Sequence, residues 1–211
     1  NMGNAKHPDE VAAMEIAGFS DREGLAPTDL GRGLHLLRFG AYSGAFVEDG
    51  SNEQKQGVLS LVVTNDSDSF IELAQISLAV GEKTASFVLS SLPAGHSVLV
   101  MEKNAMTYNE AASYGTPVLS VSPASDKEFS LHPETFSIMA ADHVVNLKNN
   151  SAADLKGSVA IYYKNVSNGI YIGGITYSRT QTGGVSSGAV AQFICDNYTV
   201  AGSEIVFIRY E

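Results

Sequence analysis

From Leu34 onward the chain is written in short runs rich in Val, Ile, Leu, Phe and Tyr, separated by clusters of Gly, Asn, Asp, Ser and Pro. The runs fall at 34–47, 58–64, 70–80, 84–90, 97–102, 117–121, 134–140, 144–148, 157–163, 170–177, 189–195 and 204–210. β-Branched and aromatic residues fit a pleated, half-buried surface, and turn residues at this spacing return the chain on itself, so the pattern predicts antiparallel strands in a sandwich or barrel. Helical periodicity is nearly absent. In 70–80, Phe70, Ala74, Ile76, Leu78 and Val80 share one parity and Gln75 and Ser77 the other; in 157–163, Val159, Ile161 and Tyr163 oppose Ser158 and Ala160. Each is the signature of a sheet packed on one side. Residues 1–31, small, polar and interrupted by Pro8 and Pro27, read as a poorly ordered N-terminal arm with at most two helical turns at 10–17.

A weak internal repeat narrows the architecture further. The strand Leu61-Val62-Val63-Thr64 ends in Asn65-Asp66-Ser67, and Leu92-Pro93-Ala94-Gly95 later opens the strand 97–102. In the second half Val145-Asn146-Leu147-Lys148 ends in Asn149-Asn150-Ser151, and Val185-Ser186-Ser187-Gly188 opens the strand 189–195. The Asn turns lie 84 positions apart and the Gly turns 93, so the second copy holds nine extra residues, expected in a hairpin at 163–169. Hairpin tips accept insertions. Two accounts fit: a domain duplication with its boundary near 122–127, or convergence on generic turn chemistry, since Asn and Gly both tolerate left-handed backbone. The duplication predicts a β-sandwich at 32–125 and a second at 126–211.

Composition removes several classes of function. Of 211 residues, 44% are hydrophobic and 17% charged, a globular balance. With 13 Lys+Arg against 23 Asp+Glu the net charge is −10, which repels phosphate backbones and argues against nucleic acid as a partner. No apolar run approaches the ~18 residues of a membrane-spanning helix. Cys195 is the single cysteine, so neither an internal disulfide nor a Cys-based metal site forms, and redox usage leaves a cytosolic and an exported location both open. The first residue, Asn1, fits a processed or trimmed product.

Motifs for chemistry are few. Gly184-Val185-Ser186-Ser187-Gly188 spells the nucleophile elbow, but that device needs a strand before the serine and a helix after it. Here a Gly-rich turn precedes and a strand follows, so Ser186 is expected in a plain turn. His7, His35, His96, His132 and His143 lack the spacing that puts metal ligands on one helix face, and surface or turn positions are expected for each. Glu48, Asp49 and Glu53 in a Gly-containing loop offer the hard oxygens Ca²⁺ prefers, with 65–68 as a contributor; the alternative is a solvated acidic turn. No cofactor is expected. Tyr162, Tyr171 and Tyr177 lie off the core parity of a long hairpin, 157–177, where they either present an aromatic ligand-binding row to a glycan or protein, or pack as cross-strand pairs.

The run of a strand, Asn-x-Ser, a strand alternating Val and Ile, and a Pro/Gly turn opening another strand resembles the bacterial immunoglobulin-like modules called FxLYD, found in exported proteins. The phrases GAFVEDGSNE, SLPAGHSVLVMEKNAMTY, and VAIYYKN with GGITY resemble a family of secreted or surface proteins of gut Firmicutes. The resemblance covers most of the chain from Gly40 on. It implies two tandem immunoglobulin-like antiparallel sandwiches and an extracellular or cell-surface location, and supplies no catalytic residues. Three classes of function follow, in order of preference: a non-catalytic surface interaction or spacer module with a protein or glycan partner, a carbohydrate-binding module using tyrosines, and an enzyme. The zero tryptophan count weakens the second, and the want of an acid–base, nucleophile or metal constellation weakens the third.

Overall fold

A computed structural model describes residues 5–123 and 127–211. The chain is mostly β, in several sheets, with a β-sandwich-like arrangement. It divides into two compact units: Asn1–Ala124 with Ser167–Ile175, and Ser125–Val166 with Thr176–Glu211. Residues 124–126, inside the expected boundary, lie outside the described residues.

The first unit holds α1 (Pro8–Ala13), β1 (Phe19–Asp21), β2 (Thr28–Gly31), β3 (Leu34–Phe46), β4 (Glu53–Asn65), β5 (Ile71–Val80), β6 (Lys83–Leu92), β7 (Ser97–Met101) and β8 (Val118–Val121). β3, β4 and β7 pair antiparallel in that order, and β6, β5 and β8 form a second antiparallel sheet. The parity read from the sequence holds: Ala74, Ile76, Leu78 and Val80 are buried while Gln75 is exposed. The second unit begins at β9 (Phe136–Ala141) and β10 (Val144–Asn149); β11 (Val159–Ser167) carries the chain out of it. That excursion forms β12 (Ile170–Ile172), and β13 (Tyr177–Gln181), β14 (Val190–Ile194) and β15 (Ser203–Tyr210) complete the second unit. There the sheets run β14-β10-β9 and β13-β11-β15. Val145, Leu147, Ala191 and Phe193 of one sheet share a core with Val159, Ile161, Tyr163, Ile205 and Ile208 of the other.

The two units are built to one plan. Strand for strand, β3, β4, β5, β6, β7 and β8 correspond to β9, β10, β11, β13, β14 and β15, with the same neighbours in both sheets. Hydrogen bonds repeat atom for atom. Asn65 is buried; its Nδ2 donates to the carbonyls of Ser69 (2.8 Å) and Leu92 (3.0 Å), and its Oδ1 accepts from the amide and hydroxyl of Ser67. Asn149, equally buried, donates to Ala153 (2.9 Å) and Val185 (3.0 Å) and accepts from the amide and hydroxyl of Ser151. The amides of Gly95 and Gly188 donate to the carbonyls of Asn65 and Asn149, each at 2.7 Å. Both glycines sit at positive φ, 77° and 75°, where a side chain is disfavoured. Each Asn thus ties its own turn to the strand-opening turn about thirty or forty residues on, and finds partners there for its own buried amide.

Two expectations are corrected. Residues 8–31 are not a loose arm: Val11 and Ile16 are buried against Tyr42, Val62, Leu99 and Met101, and β1 and β2 both pair with β3. The buried Arg38 fastens this segment, donating from Nη1 to the carbonyls of Val11 (3.1 Å) and Met14 (2.6 Å) and from Nε and Nη2 to Asp21 (2.8 and 2.7 Å). The guanidinium holds the Asp21 carboxyl below the usual range. The hairpin at 157–177 is not one hairpin either. Its second arm splits at Gly173-Gly174, so that β13 pairs with β11 while β12 pairs parallel with β7 in the first unit. The segment assigned to the first unit, Ser167–Ile175, is nine residues long, the excess that the repeat spacing requires.

In the second unit Tyr163, Tyr198 and Cys195 are buried together, and desolvation pushes all three acid groups up. The folded state therefore keeps protons that the unfolded chain releases near pH ~8.5 for Cys and ~10 for Tyr. Their contribution is intact below those values and is lost as pH rises from them toward the raised values of the folded state. The urea midpoint of this unit is expected to fall between about pH 8.5 and pH 11, and Tyr163→Phe should remove part of that fall.

Candidate functional site

The three tyrosines expected to form one row are separated by the split at Gly173-Gly174. Tyr171 is buried in the first unit, its ring stacked on His96 (5.4 Å, 13°). Tyr177 is half-buried in the second, stacked on Tyr163 (5.3 Å). Tyr162, also half-buried, stacks on Phe207 (4.2 Å, 11°) on the other face of β11. No shared aromatic platform results.

The acidic loop is likewise taken apart. The Glu48 carboxylate accepts from the amides of Met101 (2.8 Å), Gly174 (2.9 and 3.1 Å) and Ile175 (3.2 Å), so its oxygens hold main chain together instead of facing an ion. Asp49 is held by Ser51, whose hydroxyl first and amide second keep its carboxyl low. Glu53 pairs with Lys55 at 3.2 Å. Among the described residues no group of three or more His, Cys, Asp or Glu side chains could hold a metal.

Around Glu48 a cradle forms for the segment 170–175. The Gly173 amide donates to Leu99 (2.7 Å), and the Ser90 amide to Gly174 (2.9 Å). A Cβ on Gly174 would lie 2.0 Å from the Val88 carbonyl oxygen, an approach that glycine alone permits. Ile170 joins the cluster of Val62, Leu99 and Met101, with Ile172 and Ile175 packed against it. In the sequence Glu48 stands out by its charge alone; its clamp role has no local signal, because its partners lie 53 and 126 positions away.

Ser186 stands exposed in the turn before β14, its carbonyl accepting from the Ala189 amide, without the helix an elbow needs. His96 and His132 both lie at turns, one of the two placements expected for them, and both are buried there. His35 lies 3.8 Å from both Asp29 and Asp66.

On the second unit a cleft of about 560 Å³ is lined by Ala160, Tyr162, Thr180 and Arg209 on the sheet β13-β11-β15, with Ser158 just before β11 and His132 beside them. Ala160 lies between its cross-strand neighbours Thr180 and Arg209, and its small side chain makes room there. The Arg209 guanidinium lies 4.9 Å from the centroids of Phe129 and Phe207 and 5.4 Å from that of Tyr162, a cation–π cluster. Tyr162→Ala is expected to cost about 1–2 kcal/mol by uncovering Phe207, measured by urea unfolding.

No family model, curated protein or solved structure matches the chain. None of the described helices is long and apolar enough to cross a membrane, which says nothing of strands.

Proposed function

We propose that the protein is a non-catalytic interaction or spacer module of an exported bacterial protein, working outside the cell or at its surface, and that it consists of two tandem immunoglobulin-like sandwiches derived by duplication. The observation that carries this reading is the recurrence of one six-stranded plan with the same buried Asn knot. Selection that keeps a framework twice while leaving its loops dissimilar is selection on a stable, extendable scaffold. The immunoglobulin-like assignment is supported by strand order: β3-β4-β7 follows the A-B-E pattern of one sheet of that fold, and β6-β5-β8 the C′-C-F pattern of the other. The duplication also supplies the reason for a conserved turn chemistry at two places with unrelated flanking sequence.

Location is tested with an antibody against the folded chain on intact and permeabilised cells of the source. Labelling of intact cells is the expected result; antigen reached after permeabilisation alone would overturn the reading. A second reading, carbohydrate binding, is favoured by the Tyr162 cleft, where an aromatic ring adjoins hydroxyl and guanidinium donors. Glycan-array binding abolished by Thr180→Arg, which fills the cleft from an exposed position, would select it over the spacer reading.

A further inference from the structure

The internal correspondence identifies a surface that is covered in one unit and bare in the other. In the first unit the outward face of β3-β4-β7 carries Arg38, Val62, Leu99 and Met101, and residues of the N-terminal segment, Val11 and Ile16, are buried on it. The register fixes the matching positions in the second unit. Val62 pairs with Leu99 as Asn146 pairs with Gln192, and Thr64 pairs with Ser97 as Lys148 pairs with Val190. The equivalent face of β14-β10-β9 bears Val190 at 50%, Ile194 at 58% and Met139 at 47% exposure, with Val144 half-buried between them. Met139 stands across from Asn146 as Arg38 stands across from Val62.

Charge says what kind of segment fits. The nine residues of this face, Ser137, Met139 and Ala141 on β9, Val144, Asn146 and Lys148 on β10, and Val190, Gln192 and Ile194 on β14, include a lysine and no carboxylate, although the protein's net charge is −10. Arg179 adds a second cation at the edge, its Nε donating to the Ile194 carbonyl (3.0 Å). The segment that covers the corresponding face, residues 8–21, is the reverse: it holds Asp9, Glu10, Glu15 and Asp21, no Lys or Arg, and buries aliphatic side chains from positions between them. Exposed apolar side chains grouped on one sheet face are a recognised mark of an interaction surface.

We propose that the outer face of β14-β10-β9 is a docking surface for a short acidic segment with aliphatic side chains, supplied by a partner chain and chemically like residues 8–21 of this protein. This deepens the interaction-module reading and rests on it. The test uses the full-length protein with labelled Ile, Val and Met methyl groups, titrated with a synthetic peptide of residues 5–21 and with the same peptide carrying Lys at its four acidic positions. Saturable shifts confined to Met139, Val144, Val190 and Ile194, lost in Ile194→Glu and weakened by Lys148→Glu, are expected for the acidic peptide alone. These are exposed positions, so both variants should keep the parent melting temperature. Equal shifts with the Lys peptide would overturn the charge argument, and no shifts would overturn the site. Shifts at Val11, Val62 and Met101 instead would mean that the peptide exchanges with the resident segment, and overturn it also. Shifts of the same four methyls on concentrating the protein without peptide, with dimer in sedimentation, would replace the partner by a second copy of this chain. Any of these failures can coexist with surface labelling of intact cells, so loss of the docking site and loss of the interaction-module reading are separable.

Discussion

Asn149→Ala is expected to destabilise the second unit by about 3–5 kcal/mol, a large part of the ~5–15 kcal/mol that holds a domain together. The side chain is fully buried and makes four hydrogen bonds. Removing it leaves the Ser151 amide without its acceptor, takes one donor each from the Ala153 and Val185 carbonyls, which keep the Ser151 hydroxyl and the Leu155 amide, and opens a cavity at a fully buried position, so that about 1–3 kcal/mol for the stranded amide is joined by a cavity cost. Asn149→Asp should do no better, because it turns a carboxylate oxygen toward two carbonyl oxygens in a dry site. Asn65→Ala should have the same effect on the first unit, since its bonds are the same. The neighbour Asn150 is exposed, and Asn150→Ala should cost no more than about 0.5 kcal/mol. Urea unfolding of the four variants measures the contrast.

Glu102→Ala is expected to be comparably severe, again about 3–5 kcal/mol. Glu102 is 1% exposed, yet its carboxylate is held by main chain: Oε2 accepts from the Ser86 amide (2.9 Å), and Oε1 from the amides of Asn104 (2.7 Å) and Met106 (3.0 Å). A carboxylate gathering several backbone N–H groups binds them more strongly than a neutral acceptor would. Truncation leaves three amides orphaned and opens a cavity beneath the loop that follows β7. Glu102→Gln retains one acceptor oxygen but aims an NH₂ at an amide, so about half the loss should remain. Hydrogen exchange at Ser86, Asn104 and Met106 localises the damage, which should stay within the first unit.

Much of the architecture is legible in the sequence because it is carried by local pattern. Eleven of the twelve predicted runs overlap a single strand each, and the period-two alternation in β5 and β11 names the buried side chains. The spacing of the Asn and Gly turns even counts the nine extra residues. Their destination was not legible. Tyr171 reads as one more strand tyrosine, and nothing near it announces a parallel pairing with Val98 some seventy positions earlier. Gly173-Gly174 marks the break, and a glycine pair in a strand pattern is a signal of bending or close approach. The order of residues 8–21 has no local signal for a related reason: Val11, Ile16 and Phe19 are spaced for neither helix nor strand, and the arginine that fastens the segment is Arg38. Candidate sites fared likewise, for Glu48 owes its role to amides brought from afar.

One six-stranded plan with a buried Asn knot occurs twice, and nine residues of the second copy complete the first unit's sheet beside β7. Long-range hydrogen-bond scalar couplings in the fully labelled protein test it directly, since each couples a donor nitrogen to the carbonyl carbon it bonds. Correlations are expected from Gly95 to Asn65, from Gly188 to Asn149, and from Gly173 to Leu99. A Gly188 amide coupled to any residue but Asn149 would contradict the duplicated plan, and a Gly173 amide coupled within 176–211 would contradict the completion of the first unit.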